Sequence, residues 1–441
     1  MVKDRSTVIF YPATVCNLNC RYCSIDKNPA LIQIDKILEE SFKGDYYINF
    51  TKEIFPDPNQ LTRVETWGGE PTLGWHRMHN LMHQIIENYP NFYEFFSSSN
   101  MVQPHFLTEL QGMLNIFKEY PERKFTFYLQ MSLDGTEKIT DENRGKGVTK
   151  KLREVFKNMV SILHQIIPEN VKFECFFKPT LDIDNIKELQ TKEAILNYYL
   201  FFEEFYDIFY ELNQSKNAKI LVTLPNTATP EQNTTEDGKI FANMCRLCKE
   251  IEKEGNHFKY FTDITPYNAN SVVSVNNVGC DGFTCGTCKQ VIGLLPNNKI
   301  SGCHAAFVDM LDDYKKNIEI NSYANKVLDE KVFDSNLRSF FYFDKSELSK
   351  REEQIEYYYK ENTTARVITV KTLIQTLAYA GQVDFKFTDD TLALQAADLI
   401  YRNASNCMND NRNATGSLTT PSVSLLRLLL NGAYDYISIK G

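Results

Sequence analysis

Val8-Ile9-Phe10-Tyr11-Pro12-Ala13-Thr14-Val15-Cys16-Asn17-Leu18-Asn19-Cys20-Arg21-Tyr22-Cys23 is the stretch from which the rest of the chain can be read. Residues 8–11 have the β-branched and aromatic density of a strand. The strand runs almost directly into three cysteines with gaps of three and two residues. In a parallel α/β fold the loop after strand one lies at the carboxyl end of the sheet, where active sites gather. Three closely spaced thiolates can hold three irons of a four-iron cluster and leave the fourth open to a ligand. A zinc ion completed by a distant fourth ligand is the competing use of the same residues.

Further strand-like runs fall at 63–67, 92–97, 125–133, 171–178 and 219–224. Helical stripes separate them: 31–42, then Met78, Leu81, Met82, Ile85 and Ile86, then 106–117. Leu152 to Leu163 makes a fourth stripe, closed by Pro168, and 195–212 a fifth, crowded with Phe and Tyr that read as packing. Six strand–helix alternations over about 220 residues predict a parallel sheet with helical crossovers. An incomplete barrel and a doubly wound sheet both satisfy that count, since a full eightfold barrel takes about 250 residues. A Pro, Asn and Thr-rich stretch at 226–237 reads as a linker. Residues 310–441 read as mainly helical, with a polar loop at 403–416.

Composition narrows the class. The chain has 441 residues, room for two or three domains at about 150 each, and is 43% hydrophobic and 24% charged. Lys+Arg 48 against Asp+Glu 57 gives −9, which lacks the basic footprint of a nucleic-acid binder. No apolar run approaches a membrane span. The charged, proline-interrupted start is not a signal peptide, so a cytoplasmic protein is expected. Eleven cysteines, an odd number in tight clusters, argue for metal ligation over disulfides. Cys175, among Phe173, Phe176 and Phe177, reads instead as a buried strand thiol.

The second strand ends in Gly68-Gly69-Glu70-Pro71, where the glycines permit close backbone approach and Glu70 offers a carboxylate to a cation. Together with Cys16, Cys20 and Cys23, and with Tyr22 before the last cysteine, this resembles the radical S-adenosylmethionine superfamily. The resemblance implies a [4Fe-4S] cluster on the three cysteines and S-adenosylmethionine bound at its open iron. It also implies a partial barrel of six strand–helix units, which agrees with the independent count. Ser97-Ser98-Ser99-Asn100 resembles the family's polar turn toward the ribose, with Ser98 and Asn100 as its contacts; a helix N-cap ahead of Pro104 is the other reading. Ser132-Leu133-Asp134-Gly135 with Arg144 is similar to a stretch of peptide- and protein-modifying members, where Ser132 and Arg144 would hold the cofactor carboxylate. Thr140 stands in place of the usual histidine, and Asp134 reads as turn chemistry.

Cys285-Gly286-Thr287-Cys288 precedes two apolar runs around Pro296-Asn297-Asn298, and Cys303 follows them. The pattern predicts a hairpin, since asparagine tolerates the positive φ of its turn. It resembles the auxiliary-cluster hairpin of the SPASM and twitch subfamilies, with Asn298 where glycine is usual. The resemblance implies one auxiliary iron–sulfur cluster held from Cys280, Cys285, Cys288 and Cys303. Cys245 and Cys248 suit that cluster, a zinc ion, or one turn of a helix; Cys407 stands alone. His304 occupies the place of an aspartate proposed as a base in sulfatase-maturing relatives, though a hydrogen-bonded or core role suits it equally.

The expectation is an α/β enzyme: a (β/α)6 TIM-like barrel at 1–225, an auxiliary-cluster region at 226–309 and a helical region at 310–441. The resemblance, over about residues 8–309, implies hydrogen abstraction from a peptide or protein substrate, giving a crosslink, an oxidation or an epimerisation. It also implies a flavodoxin- or ferredoxin-type electron donor. Only 15 residues precede Cys16, so leader recognition is expected from residues 310–441 or from a separate protein. A radical enzyme acting on a small metabolite or a tRNA base, and a zinc-binding interaction protein, are the alternatives.

Overall fold

The computed structural model describes residues 5–23, 25, 30–181, 183–215, 218–222, 226–227, 235–255, 257–261, 264, 290–302, 304 and 342–353. Strands β1 (Thr7–Ala13), β2 (Arg63–Gly68), β3 (Glu94–Ser99), β4 (Phe125–Met131), β5 (Val171–Phe177) and β7 (Ala218–Val222) pair in that order, every pairing parallel. A short β6 (Thr180–Leu181) pairs with β8 (Asn226–Thr227) in a sheet of its own. Helices α1 (Ala30–Ser41), α2 (Tyr46–Ile54), α3 (His79–Asn88), α4 (Phe106–Lys118) and α5 (Glu137–Arg144) connect the first strands. They are followed by α6 (Val148–Ile166), α7 (Ile183–Glu188), α8 (Lys192–Ser215) and α9 (Thr235–Glu254). The protein is thus mixed α/β with a mainly parallel sheet.

The strand order bears on what periodicity left open. The chain winds in one direction across the six parallel strands, whereas a doubly wound sheet reverses at a switch point. Successive winding from β1 to β7 is compatible with a partial barrel. The predicted strands agree with the observed ones to within a few residues, because each is a dense apolar run between turn residues. The predicted linker at 226–237 is a correction: it holds β8, and α9 opens within it at Thr235.

Register fixes the two faces. Val8, Val64, Phe95, Phe127 and Phe173 align across β1 to β5 and are buried toward the helices. Their rings interlock, Phe127 stacking on Phe173 at 5.4 Å and Trp75 meeting Phe95 and Phe127 edge-on at 5.9 Å. Cys175 lies in the same layer, fully buried, and desolvation pushes its thiol well above the ordinary value, as suits a core thiol. The α8 stripe of Tyr198, Phe202, Phe205 and Phe209 is packing, as its spacing suggested. Burying one such ring contributes about 1.5–3 kcal/mol.

The other face carries Ile9, Glu65, Phe96, Tyr128 and Glu174 in one register row. In β4 this face is half-open at Thr126, Tyr128 and Gln130, while the alternate residues are buried. Arg63 anchors its lower end, donating to Glu65 at 2.8 Å and Glu94 at 3.2 Å under the rings of Phe96 and Tyr128.

The predicted hairpin is present as β9 (Val291–Leu295) and β10 (Lys299–Ser301), with Asn297 and Asn298 both at φ 57°. Two consecutive left-handed residues make the tight hairpin turn that twisted strands favour. Its docking was not legible in sequence: β9 pairs in parallel with β1, and Tyr46 Oη bridges Leu295 O and Asn298 N at 2.9 Å each. The antiparallel strand β11 (Tyr342–Asp344) extends the sheet beyond β10.

Candidate functional site

The loop bearing the three cysteines starts from a bulge. Phe10 pairs with Thr66 and Ala13 with Gly68, so β1 has one residue more than β2 across Tyr11-Pro12. Proline cannot donate to a ladder and is tolerated at such a bulge. Its carbonyl is gripped by Arg77 Nη1 at 2.9 Å, and Arg77 also pairs with Asp35 at 2.8 Å. Asp35 in turn accepts from Thr14 N at 2.8 Å, so α1 fixes the root of the loop.

Gly69 explains the second motif. A Cβ there would stand 2.3 Å from Val15 O and 2.4 Å from Thr14 O. Without one, Gly69 N donates to Ala13 O at 3.0 Å and Glu70 N to Val15 O at 2.8 Å. The close approach expected of these glycines is to the cysteine loop itself. Gly68 sits at φ 135°, a conformation glycine adopts readily, and Pro71 opens a 3-10 helix over Pro71–Met78.

The Glu70 carboxylate is buried and accepts from Thr72 Oγ1 at 2.5 Å, Ser99 Oγ at 2.8 Å and Asn100 N at 2.7 Å. Desolvation raises its pKa, and these hydrogen bonds act in the opposite sense. It therefore ties the end of β2 to the end of β3. Asn100 carries that tie onward: its Nδ2 donates to Asn17 Oδ1 at 2.8 Å and toward Cys16 Sγ at 3.7 Å. The N-cap reading of this turn does not hold, since α4 begins at Phe106 with His105 before it. Ser98 is half-exposed on the open face, level with Gln130, and Ser132 N donates to Ser99 O at 2.9 Å.

At the end of β4 stands a residue that does more than form a turn. Asp134 is fully buried. Arg144 forks onto it, Nε to Oδ2 at 2.9 Å and Nη2 to Oδ1 at 2.8 Å. Tyr22 Oη donates to Oδ2 at 2.8 Å, Thr180 N to Oδ1 at 3.0 Å and Asn143 Nδ2 to Oδ2 at 3.2 Å. A buried carboxylate so fully satisfied is stable in place, and removing one partner would strand the others. Burial is the largest single influence on Arg144 and would lower its pKa, but the charge and hydrogen bonds of Asp134, with Tyr22 and Cys20, together raise it. The third Arg144 nitrogen, Nη1, lies 3.9 Å from Cys20 Sγ, and the guanidinium sits 5.5 Å from the Tyr22 ring centroid. The signal in sequence was an acid and a base ten residues apart, flanking a glycine turn.

Cys16, Cys20, Cys23, Tyr22, Gly69, Glu70, Asn100 and Arg144 are therefore brought into one hydrogen-bonded knot. Among the described residues no three His, Cys, Asp or Glu side chains converge closely enough to hold a single metal ion. The surroundings of the sulfurs nevertheless suit thiolates: Cys16 Sγ also accepts from Leu18 N at 3.4 Å, and the Arg144 cation faces Cys20. N–H donors aimed at sulfur are characteristic of thiolates that hold iron–sulfur clusters. Cys280, Cys285, Cys288, Cys303 and Cys407 lie outside the described residues, as does the Cys245 side chain. Cys248 is buried in the hydrophobic core on α9.

His304 stacks on Trp67 at 4.1 Å and 17° between planes, while Trp67 Nε1 donates to Glu65 at 2.8 Å. Desolvation, then the charge of Lys178, lowers the His304 pKa to about 4 against the opposing charge of Glu65.

No protein-family profile matches this chain, and no curated protein matches it. Among solved structures it is similar to native anSMEcpe with bound AdoMet, at 17% identity and TM-score 0.39, over 67% of this chain and 74% of that one. It is similar also to native anSMEcpe with bound AdoMet and Kp18Cys peptide, at 17% identity and TM-score 0.37, over 68% of this chain and 74% of that one. A third similar structure is Streptococcus suis SuiB bound to S-adenosylmethionine, at 15% identity and TM-score 0.36, over 69% of this chain and 59% of that one.

Proposed function

We propose that this protein is a radical S-adenosylmethionine enzyme acting on a peptide or protein. The observation that carries the reading is the knot itself: three cysteines at spacings of three and two sit at the carboxyl end of β1 in a one-way parallel sheet. That loop is bonded to the Gly-Gly-Glu-Pro end of β2 and to the Asp134–Arg144 pair after β4. Cys16, Cys20 and Cys23 would hold a [4Fe-4S] cluster. Bound there, such a cluster would supply the one electron that cleaves a carbon–sulfur bond of S-adenosylmethionine into methionine and a 5′-deoxyadenosyl radical.

The chain's own groups then have defined tasks. Asn100 and Arg144 direct N–H donors at two of the three sulfurs. Ser98 and Ser132 place hydroxyls at the carboxyl ends of β3 and β4, where the cofactor's polar groups would lie. The half-open face bearing Trp67, Tyr128, Gln130 and Phe176 would meet the substrate, and a radical there would have to be shielded from water. No helix among the described residues is long and apolar enough to cross a membrane. The peptide substrate and an auxiliary cluster on the second cysteine region belong to the same proposal, resting on sequence motifs.

Anaerobically reconstituted protein with dithionite should convert S-adenosylmethionine to 5′-deoxyadenosine, and replacing the three cysteines by alanine should abolish it. Turnover that persists in the triple variant would refute the assignment. Co-expression with small peptides encoded beside the gene should give a peptide changed in mass by loss of hydrogen, or epimerised at unchanged mass.

A further inference from the structure

We infer that Asp134 is a positioning residue whose task is to aim the Arg144 guanidinium at Cys20. The inference rests on the proposed cluster at Cys16, Cys20 and Cys23. A guanidinium has a fixed planar fork, so engaging Nε and one terminal nitrogen determines where the other points. Asp134 takes Nε at 2.9 Å and Nη2 at 2.8 Å, and Nη1 is left 3.9 Å from Cys20 Sγ.

Asp134 is itself immobilised from four sides. Tyr22 reaches it from the cysteine loop, Asn143 from α5, and Thr180 N from the start of β6. Its carbonyl accepts from Tyr198 Oη at 3.0 Å, an approach open because a Cβ at Gly135 would stand 2.1 Å from the Tyr198 ring. Arg21 N also donates to Asn143 O at 2.9 Å, joining the same α5 to the cysteine loop. The carboxylate is thus a fixed base plate, and the arginine is the arm it directs.

A cation and an N–H donor beside one ligating sulfur stabilise the more negative, reduced cluster and raise its potential. Arg144 accordingly tunes the cluster through Cys20; Asp134 acts on the potential through Arg144, while its bond to Tyr22 separately ties the cysteine loop.

The test is the midpoint potential of the reconstituted cluster without S-adenosylmethionine, normalised to iron and sulfide. Arg144→Gln should lower the reduced-to-oxidised ratio at fixed solution potential about tenfold, or about 59 mV for a one-electron couple. Asp134→Asn should lower it similarly, since an amide cannot accept both arms of the fork. The double variant should fall no further than Arg144→Gln alone, because two residues on one path are non-additive. Arg144→Lys keeps the charge and the ion pair but has no fork, and should fall between wild type and Arg144→Gln.

In iron-free protein, Asp134→Asn should speed amide exchange in the peptide covering residues 16–23, a readout independent of the cluster. Additive effects, an unchanged or raised potential in Asp134→Asn, or a wild-type potential in Arg144→Lys would each overturn the inference. A wild-type protein that takes up no cluster would refute the proposed function, and this inference with it.

Discussion

Replacing Gly69 by alanine tests the way the cysteine loop is held. The added Cβ would lie 2.3 Å and 2.4 Å from two backbone oxygens, about 1 Å short of ordinary contact. Neither oxygen can swing aside, since Thr14 and Val15 follow the paired end of β1 and Thr14 N is held by Asp35. The two chains must part, breaking the Gly69–Ala13 and Glu70–Val15 bonds. Overpacking of this kind costs about 1–3 kcal/mol, and each lost hydrogen bond about 1 kcal/mol more. A destabilisation of roughly 2–4 kcal/mol is expected. Urea titration followed by tyrosine and tryptophan fluorescence measures it, and amide exchange at residues 14–16 and 69–70 localises it. Gly112 is the matched control. It lies inside α4, where a Cβ meets only the His79 ring at 3.0 Å, so Gly112→Ala should be near neutral or stabilising by up to about 1 kcal/mol. A Gly69→Ala protein within about 0.5 kcal/mol of wild type, the range of ordinary surface substitutions, would refute the reasoning.

Two further outcomes concern pH. Glu70 has a folded pKa above its ordinary 4.5, so the folded state takes up its proton first as pH falls. Glu70→Gln should be less stable by about 1–3 kcal/mol, because its amide faces donors. That deficit should widen as pH falls through the raised pKa and stop widening below 4.5; a deficit constant with pH would count against a raised value. His304 is held low, at about 4 against 6.5, so unfolding takes up its proton and stability declines as pH drops from 6.5 toward 4. His304→Phe, which keeps a ring on Trp67, should flatten that segment of the pH–stability curve, and a His304 NMR signal titrating near 6.5 would contradict the shift.

What the sequence disclosed divides along the range of the interactions concerned. The six parallel strands and the α3, α4, α6 and α8 stripes were legible because each rests on local periodicity. The turn at Asn297-Asn298 was legible because positive φ restricts residue choice. The stop of α6 was legible as well: Ile167 is extended ahead of Pro168. Asp134 was misjudged for the opposite reason. Next to Gly135 it has the local look of turn chemistry, and its partners at 22 and 180 are far away in sequence. The Pro12 bulge and the docking of β9 on β1 were invisible on the same ground, since both are pairings between distant segments. Glu70 was singled out correctly as a residue of consequence, yet nothing in its neighbours said that Ser99 and Asn100 would take its oxygens.

Four of the bonds that frame the cysteine loop run between main-chain atoms: Gly69 to Ala13, Glu70 to Val15, Arg21 to Asn143 and Cys23 to Cys20. Main-chain bonds are blind to side-chain identity. The path of the loop and the chemistry displayed on it are therefore separable, and exchanging the sulfurs for methyl groups should leave the path intact. Loss of activity in cysteine variants can then be read as loss of ligands rather than loss of shape. The same separation leaves the exposed Asn19, between the first two cysteines, freer to vary than the glycines on the neighbouring strand.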